Sequence, residues 1–387
     1  MFNIEHFLLF TILFALSFLL TLCPQKNYEK NFWGTVAFFI IAYTLIVGLR
    51  YGWGHDYERY EFVYSMLEYD YSKDYDIAYW GLYKFEKSLG IPFSGSVVIS
   101  TLLIIISYFY IVKAMKGDRY MLMCFLPATI MFTTYAMRQF HAIVYINIAI
   151  ALLLFSEQLP KRKTLTIIIS VILLLLAFHT HVASVAYAIP FLLFIFYKSP
   201  NVLPYKITVI AYIACIIFSN IINAFFSEYI INLTQNLIVT DHLQGYVNKA
   251  DVRVLGEDSV DESTFAYGGA FQFFHYASYT CLLYIMGRAL AIKPNKNVIY
   301  IYNIVVVAIL LQEIFFSQEI MRRLIDPFVI LYFIPLGYAI NIYRENSKTK
   351  FMGYQFYGFC LLLLLMRIYY PFISFLTSFN LAGFVWD

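Results

Sequence analysis

The feature that most constrains this 387-residue chain is the repetition of apolar runs about as long as a bilayer is thick. A helix needs roughly 20 apolar residues to cross the hydrocarbon core. Twelve such stretches fall near 5–22, 32–49, 95–114, 120–135, 139–156, 164–178, 182–197, 206–224, 271–290, 297–315, 325–343 and 351–368. Those at 120–135 and 182–197 are short, which sets a range of ten to thirteen. In lipid every backbone polar group must be satisfied within the chain, so only helices and closed barrels span. The alternating ~10-residue segments of a barrel are absent. The fold class expected is therefore all-α, a polytopic integral membrane protein with residues 1–387 forming a single transmembrane domain. Composition agrees: 13% of residues are charged and the mean hydropathy is +0.70, against about 25% charged in soluble domains. Residues 1–22 lack a basic leader, so an uncleaved first helix is expected.

The charges sort by side. Segments 23–31, 113–119, 157–163, 198–206, 288–296 and 344–350 hold 16 of the 27 basic residues and four of the 24 acidic ones. That leaves +12 on one side and −9 on the other. An excess of Lys and Arg marks the cytoplasmic side, so both termini are expected to face outward. The pI of about 8.4 averages two opposite faces and gives no ground for a nucleic-acid partner. The long segments, 50–94 and 225–270, both lie outside. The first is expected to hold short helices, and the second an amphipathic surface helix followed by a flexible flap. No Walker or Rossmann glycine loop is present. The five cysteines are scattered, without metal spacing or a disulfide framework. No cofactor and no metal site are expected.

Chemistry-bearing residues gather at the outer ends of spans. Arg50 closes the second span in "GLRYGWGHDYERY", where Asp56, Tyr57, Arg59 and Tyr60 follow. Arg138 and Gln139 open the fifth. His179 and His181 form the turn "FHTH" after the sixth, Arg322 and Arg323 precede the eleventh, and Arg367 ends the twelfth. Any one arginine at a helix end can be an interfacial anchor whose stem lies along lipid. The outer face, however, carries seven arginines and four lysines, whereas the inner loops carry twelve lysines and four arginines. Arginine is the better fork for phosphate oxygens, so an anionic, phosphate-bearing ligand is expected at the outer surface. Asp56 either activates a hydroxyl or braces Arg50 or Arg59 by an ion pair. One histidine of "FHTH" reads as a polar turn residue and the other as a base. Asp74 and Asp76 have the D-x-D form that holds a metal-diphosphate, a pattern that an acid-rich loop also produces by chance.

In order and spacing, "GLRYGWGHDYERY", Arg138–Gln139, "AFHTH" and "RRLIDPFVILYF" resemble the EpsG and Wzy-like polymerases of bacterial surface polysaccharides. The stretch "DIAYWGLYKFEKSLG" offers Asp76 and Gly81 toward the acidic or glycine-rich patch such chains carry before the third span. The resemblance implies a multi-pass glycosyltransferase of the bacterial inner membrane. It would move a growing glycan from undecaprenyl diphosphate onto the next repeat unit, without nucleotide or metal. A lipid-diphosphate donor and acceptor, the bilayer, and a chain-length regulator and flippase of the same pathway are the implied partners. Two other readings stand beside it. One is a polyprenyl-phosphate-sugar transferase or a ligase. The other is a lipid-linked oligosaccharide flippase, for which Glu313 and Asp326 are the main charges within spans.

Overall fold

An apolar segment closes its own hydrogen bonds only by coiling, and nearly all of the described chain does so. The computed structural model describes residues 4–51, 57–67, 77–129, 137–156, 163–181, 184, 186–190, 201–236, 268–315, 319–347 and 383–384. In chain order the elements are α1 (Ile4–Leu19), α2 (Gln25–Lys30), α3 (Phe32–Gly48), β1 (Arg50–Tyr51), α4 (Tyr57–Ser65), α5 (Ile77–Ser88), α6 (Phe93–Ala114) and α7 (Arg119–Thr129). Then come α8 (Met137–Ser156), α9 (Lys163–Thr180), α10 (Tyr205–Asn236), α11 (Gly268–Ile292), α12 (Lys296–Ile314), α13 (Glu319–Val329), α14 (Phe333–Ser347) and β2 (Gly383–Phe384).

Among the described residues three helices are long and apolar enough to cross a membrane: Phe93–Ala114, Lys296–Ile314 and Leu324–Glu345. Shorter apolar helices at Thr11–Leu22, Phe32–Gly48, Arg138–Leu153, Thr164–Thr180 and Tyr205–Ser219 coincide with further expected spans. The expected span at 351–368 lies outside the described residues, as does most of that at 182–197. The protein is thus a helical membrane protein. Segment 50–94 holds α4 and α5. Helix α10 runs unbroken to Asn236, into the segment expected as a surface helix, and 237–267 lie outside the described residues.

The chain divides into two compact units, Met1–Pro200 with Phe333–Asp387, and Asn201–Tyr332. In the first, α3 and α6 run antiparallel. Trp33 stacks near Tyr110, and Phe39 near Phe109, with centroids 6.3 and 6.0 Å apart. At their other end a Cβ on Gly48 would stand 2.9 Å from the Val98 Cα, so only glycine lets these backbones approach so closely there. Helix α8 packs between α6 and α9. Asn147 of α8 donates to Ser107 of α6 at 3.2 Å and accepts from the Tyr187 hydroxyl at 3.0 Å. Helix α7 packs on α14. The short ladder β1–β2 is antiparallel, with Arg50 opposite Phe384.

In the second unit α10 and α11 pack on α12, and α12 on α13. Asn295 caps α12 by accepting from the backbone N–H groups of Asn297 and Val298, two donors that no helical carbonyl can reach.

Candidate functional site

Four elements of the first unit bring a group of buried tyrosines together, and each is fixed by local chemistry. Helix α5 places Tyr79, Tyr83 and Glu86 at spacings of four and three, hence on one face. It ends in a Schellman turn: Gly90 takes a φ of 75°, its N–H donates to Lys87 O at 2.9 Å, and Ile91 N–H donates to Glu86 O at 3.1 Å. Glycine tolerates that left-handed geometry. Pro92 then starts α6. The Lys87 ammonium reaches back to the carbonyls of Tyr64 and Ser65 at 3.1 and 2.8 Å, capping α4 against α5. The Tyr64 hydroxyl donates to Ile91 O at 2.7 Å.

Two arginines lie in this tyrosine group. Arg50 is 2% exposed. Its Nη1 donates to Val47 O at 2.8 Å, at the carbonyl end of α3, and to Thr101 Oγ1 of α6 at 3.4 Å. A cation is favoured at that end of a helix dipole. Burial lowers the guanidinium to about 10, with Tyr43, Tyr57 and Tyr83 acting against the drop, so it stays charged at neutral pH. Arg138 of α8 donates from Nε to the Tyr60 hydroxyl at 3.0 Å and lies over that ring at 5.6 Å. Tyrosines bridge from one arginine to the other. The Tyr60 and Tyr79 rings meet edge to face at 5.9 Å, the Tyr79 hydroxyl donates to the Tyr83 hydroxyl at 2.7 Å, and Tyr83 lies within electrostatic reach of Arg50. Burial holds both Tyr79 and Tyr83 above the usual tyrosine range, so they are neutral hydrogen-bonding groups.

The residues singled out from sequence are distributed as follows. Arg50, Tyr57, Tyr60 and Arg138 share the tyrosine group, and the adjacent Gln139 is buried. Arg59 is exposed on α4. His179 is exposed at the end of α9 with its ring 5.4 Å from Phe178, and His181 is half-buried just beyond. Arg322 and Arg323 lie on α13, in the second unit. Asp56, Asp74, Asp76 and Arg367 lie outside the described residues. Sequence reasoning passed over Tyr79, Tyr83, Glu86 and His141. Glu86 stands in the very stretch read as offering only Asp76 and Gly81, and its spacing from Tyr79 and Tyr83 was the available signal. His141 follows Arg138 by three residues, one turn along the same helix face.

The second unit has a polar network of its own. Tyr212 donates to Glu313 Oε2 at 3.1 Å, and His275 Nε2 lies 3.7 Å from the same oxygen. Tyr279 donates to Gln312, which donates to Asp326 Oδ1 at 2.9 Å. The two acids weighed for a transport route are thus both held by neighbours in that unit. Among the described residues no group of His, Cys, Asp and Glu is arranged to hold a metal ion.

Apolar helices around a buried cation–tyrosine group define a helical membrane protein with a candidate polar site. The sequence matches the EpsG family over residues 32–381, and the chain belongs to that family. Membership points to a polysaccharide-polymerase role. Comparison with curated proteins and with solved structures found no match.

Proposed function

We propose that the protein polymerises lipid-diphosphate-linked oligosaccharide repeat units at the outer face of the bacterial inner membrane. The observation that supports this most is the association of Arg50 and Arg138, from separate segments of the sequence, with one set of buried tyrosines. When a sugar–diphosphate bond breaks, negative charge builds on the departing phosphate. Fixed guanidiniums in a dehydrated site stabilise that charge as it develops. Tyrosine rings and hydroxyls suit sugar faces and edges. Arg59, Tyr57, Tyr60 and Gln139 would serve sugar binding, and Arg322 and Arg323, in the second unit, stand as phosphate-binding candidates from sequence alone. The acceptor hydroxyl needs a base, for which Asp56, His179 and His181 are the candidates from sequence. The reaction needs no nucleotide, and we assign it no metal. Undecaprenyl diphosphate carries both donor and acceptor in this reading, and a flippase and a chain-length regulator serve the same pathway.

The test is Arg138→Ala in a strain lacking the chromosomal copy. Long glycan chains should disappear from gels of surface polysaccharide while single repeat units persist. Unchanged chain lengths would overturn the reading.

A further inference from the structure

Glu86 is 3% exposed and His141 is 3% exposed, on α5 and α8 of the first unit. Glu86 Oε2, Ser96 Oγ, Arg50 Nε and both His141 ring nitrogens have no hydrogen-bond partner among the described residues. Native cores leave only a few such atoms unpaired in about a hundred residues, and others in this chain are scattered. Four of the five belong to residues around one ring, and the fifth, Ser96 Oγ, lies beside Glu86; that ring is Tyr83. Its centroid lies 6.4 Å from that of His141, it is within electrostatic reach of Arg50 and Glu86, and it packs on Tyr79, Trp80 and Phe93. Ser96 is near enough to hold the Glu86 carboxyl down slightly, without completing a hydrogen bond. Unpaired donors and acceptors among aromatic faces suit a ligand that is polyhydroxylated at its edges and apolar on its faces, which is a sugar ring.

Resting on the polymerase reading, we propose that this place receives the acceptor sugar and that Glu86 is its catalytic base. The acceptor hydroxyl gives its proton to the Glu86 carboxylate. Its oxygen bonds to the anomeric carbon of the donor, the bond from that carbon to the phosphate oxygen breaks, and the electron pair leaves with the lipid diphosphate. Arg50, within electrostatic reach of the same Tyr83, supplies the cation that the departing charge needs. His141 and Ser96 hold further hydroxyls. Burial raises the Glu86 carboxyl above the usual glutamate range, toward the working pH of a general base. Among the described residues, Tyr64 of α4, Tyr83 of α5 and Tyr145 of α8 lie within its electrostatic reach, and His141 of α8 packs on the same Tyr83 ring. Helix α9, also packed on α5, carries Lys163 and His179 near its ends.

The experiment uses membranes of the complemented deletion strain, with their own lipid-linked repeat units as substrate. Glu86→Gln and Arg138→Ala are run side by side at matched protein levels. Glu86→Gln should slow elongation about 100-fold or more, the range of a lost general base, and leave single units. A full ladder in Glu86→Gln beside none in Arg138→Ala overturns this inference and leaves the polymerase reading standing. Full ladders in both overturn that reading too. If Glu86→Gln fails to accumulate, Glu86→Asp decides. Elongation should rise with pH through one ionisation, and the shorter acid should shift that rise. A rise that does not move overturns the proposal.

Discussion

The two ends of the α3–α6 pair are built from the same materials and use them differently. At the end where α3 begins, Lys113 lies 5.2 Å from the Trp33 ring, and Arg119 and Arg344 flank Tyr120 at 5.5 and 5.4 Å. These cations are half-exposed. Asp118 caps α7 by accepting from the Tyr120 and Met121 N–H groups at 2.9 and 3.3 Å. Where α3 ends, the cation, the acid and the imidazole are all buried, and each has an atom with no hydrogen-bond partner among the described residues. A half-exposed cation over a ring is an anchor worth about 0.5–1 kcal/mol. A buried, partly unsatisfied one costs stability, and binding a ligand is what offsets that cost. Depth, more than residue type, separates the anchoring end from the candidate site, since Arg119 Nε too has no hydrogen-bond partner among the described residues.

The sharpest way to break this distinction is a pair of matched substitutions. Arg50→Met should lower elongation about 100-fold or more, the effect of losing one charge-stabilising donor. Arg344→Met, at the other end, should leave the glycan ladder at wild-type length and cost at most about 1 kcal/mol of stability. Both are read on gels of surface polysaccharide at equal protein levels. Equal loss in the two variants would remove the contrast.

Why one end was legible in sequence and the other only partly so follows from how each signal arises. Spans announce themselves through length and hydropathy, and Arg50 and Arg138 through their positions at span ends. Asn31 and Asn295 sit where helix caps are needed. Glu86 and His141 gave no such sign. Glu86 lies among Lys84 and Lys87 in an outer segment that reads as solvated, and only the α5 register turns it inward beside Tyr79 and Tyr83. A single histidine in an apolar run, like His141, is indistinguishable from packing until its neighbours are known. The pairing of β1 with Gly383–Phe384 joins residues more than 300 positions apart, and no local pattern predicts it.

Tyr83→Phe probes the link between the arginines with a smaller change. It keeps the ring that packs on Phe93 and Tyr64 and removes only the hydroxyl that accepts from Tyr79. One neutral hydrogen bond is worth about 0.5–1.5 kcal/mol, so elongation should fall roughly 2- to 12-fold while the protein accumulates normally. Wild-type elongation in this variant would reduce the tyrosines to packing and leave the arginines to act separately.

The smallest effect belongs to the anchoring end and concerns stability alone. Burial pushes the Asp118 carboxyl up to about 7, with Glu345 adding to the rise and the Met121 N–H, Arg119 and Asn341 opposing it. Between the ordinary aspartate range and that value, the native state keeps a proton that the unfolded chain has released. Stability therefore falls as pH rises through that window and levels off above it. Asparagine preserves the cap without ionising. The detergent-solubilised full chain should lose on the order of 1 kcal/mol between pH 5 and pH 8, a figure discounted for the partial exposure of Asp118. Asp118→Asn should flatten that loss in thermal unfolding and leave the pH dependence of elongation unmoved. If Asp118→Asn instead shifted the elongation profile, the two ends would be coupled and the division between anchor and site would fail.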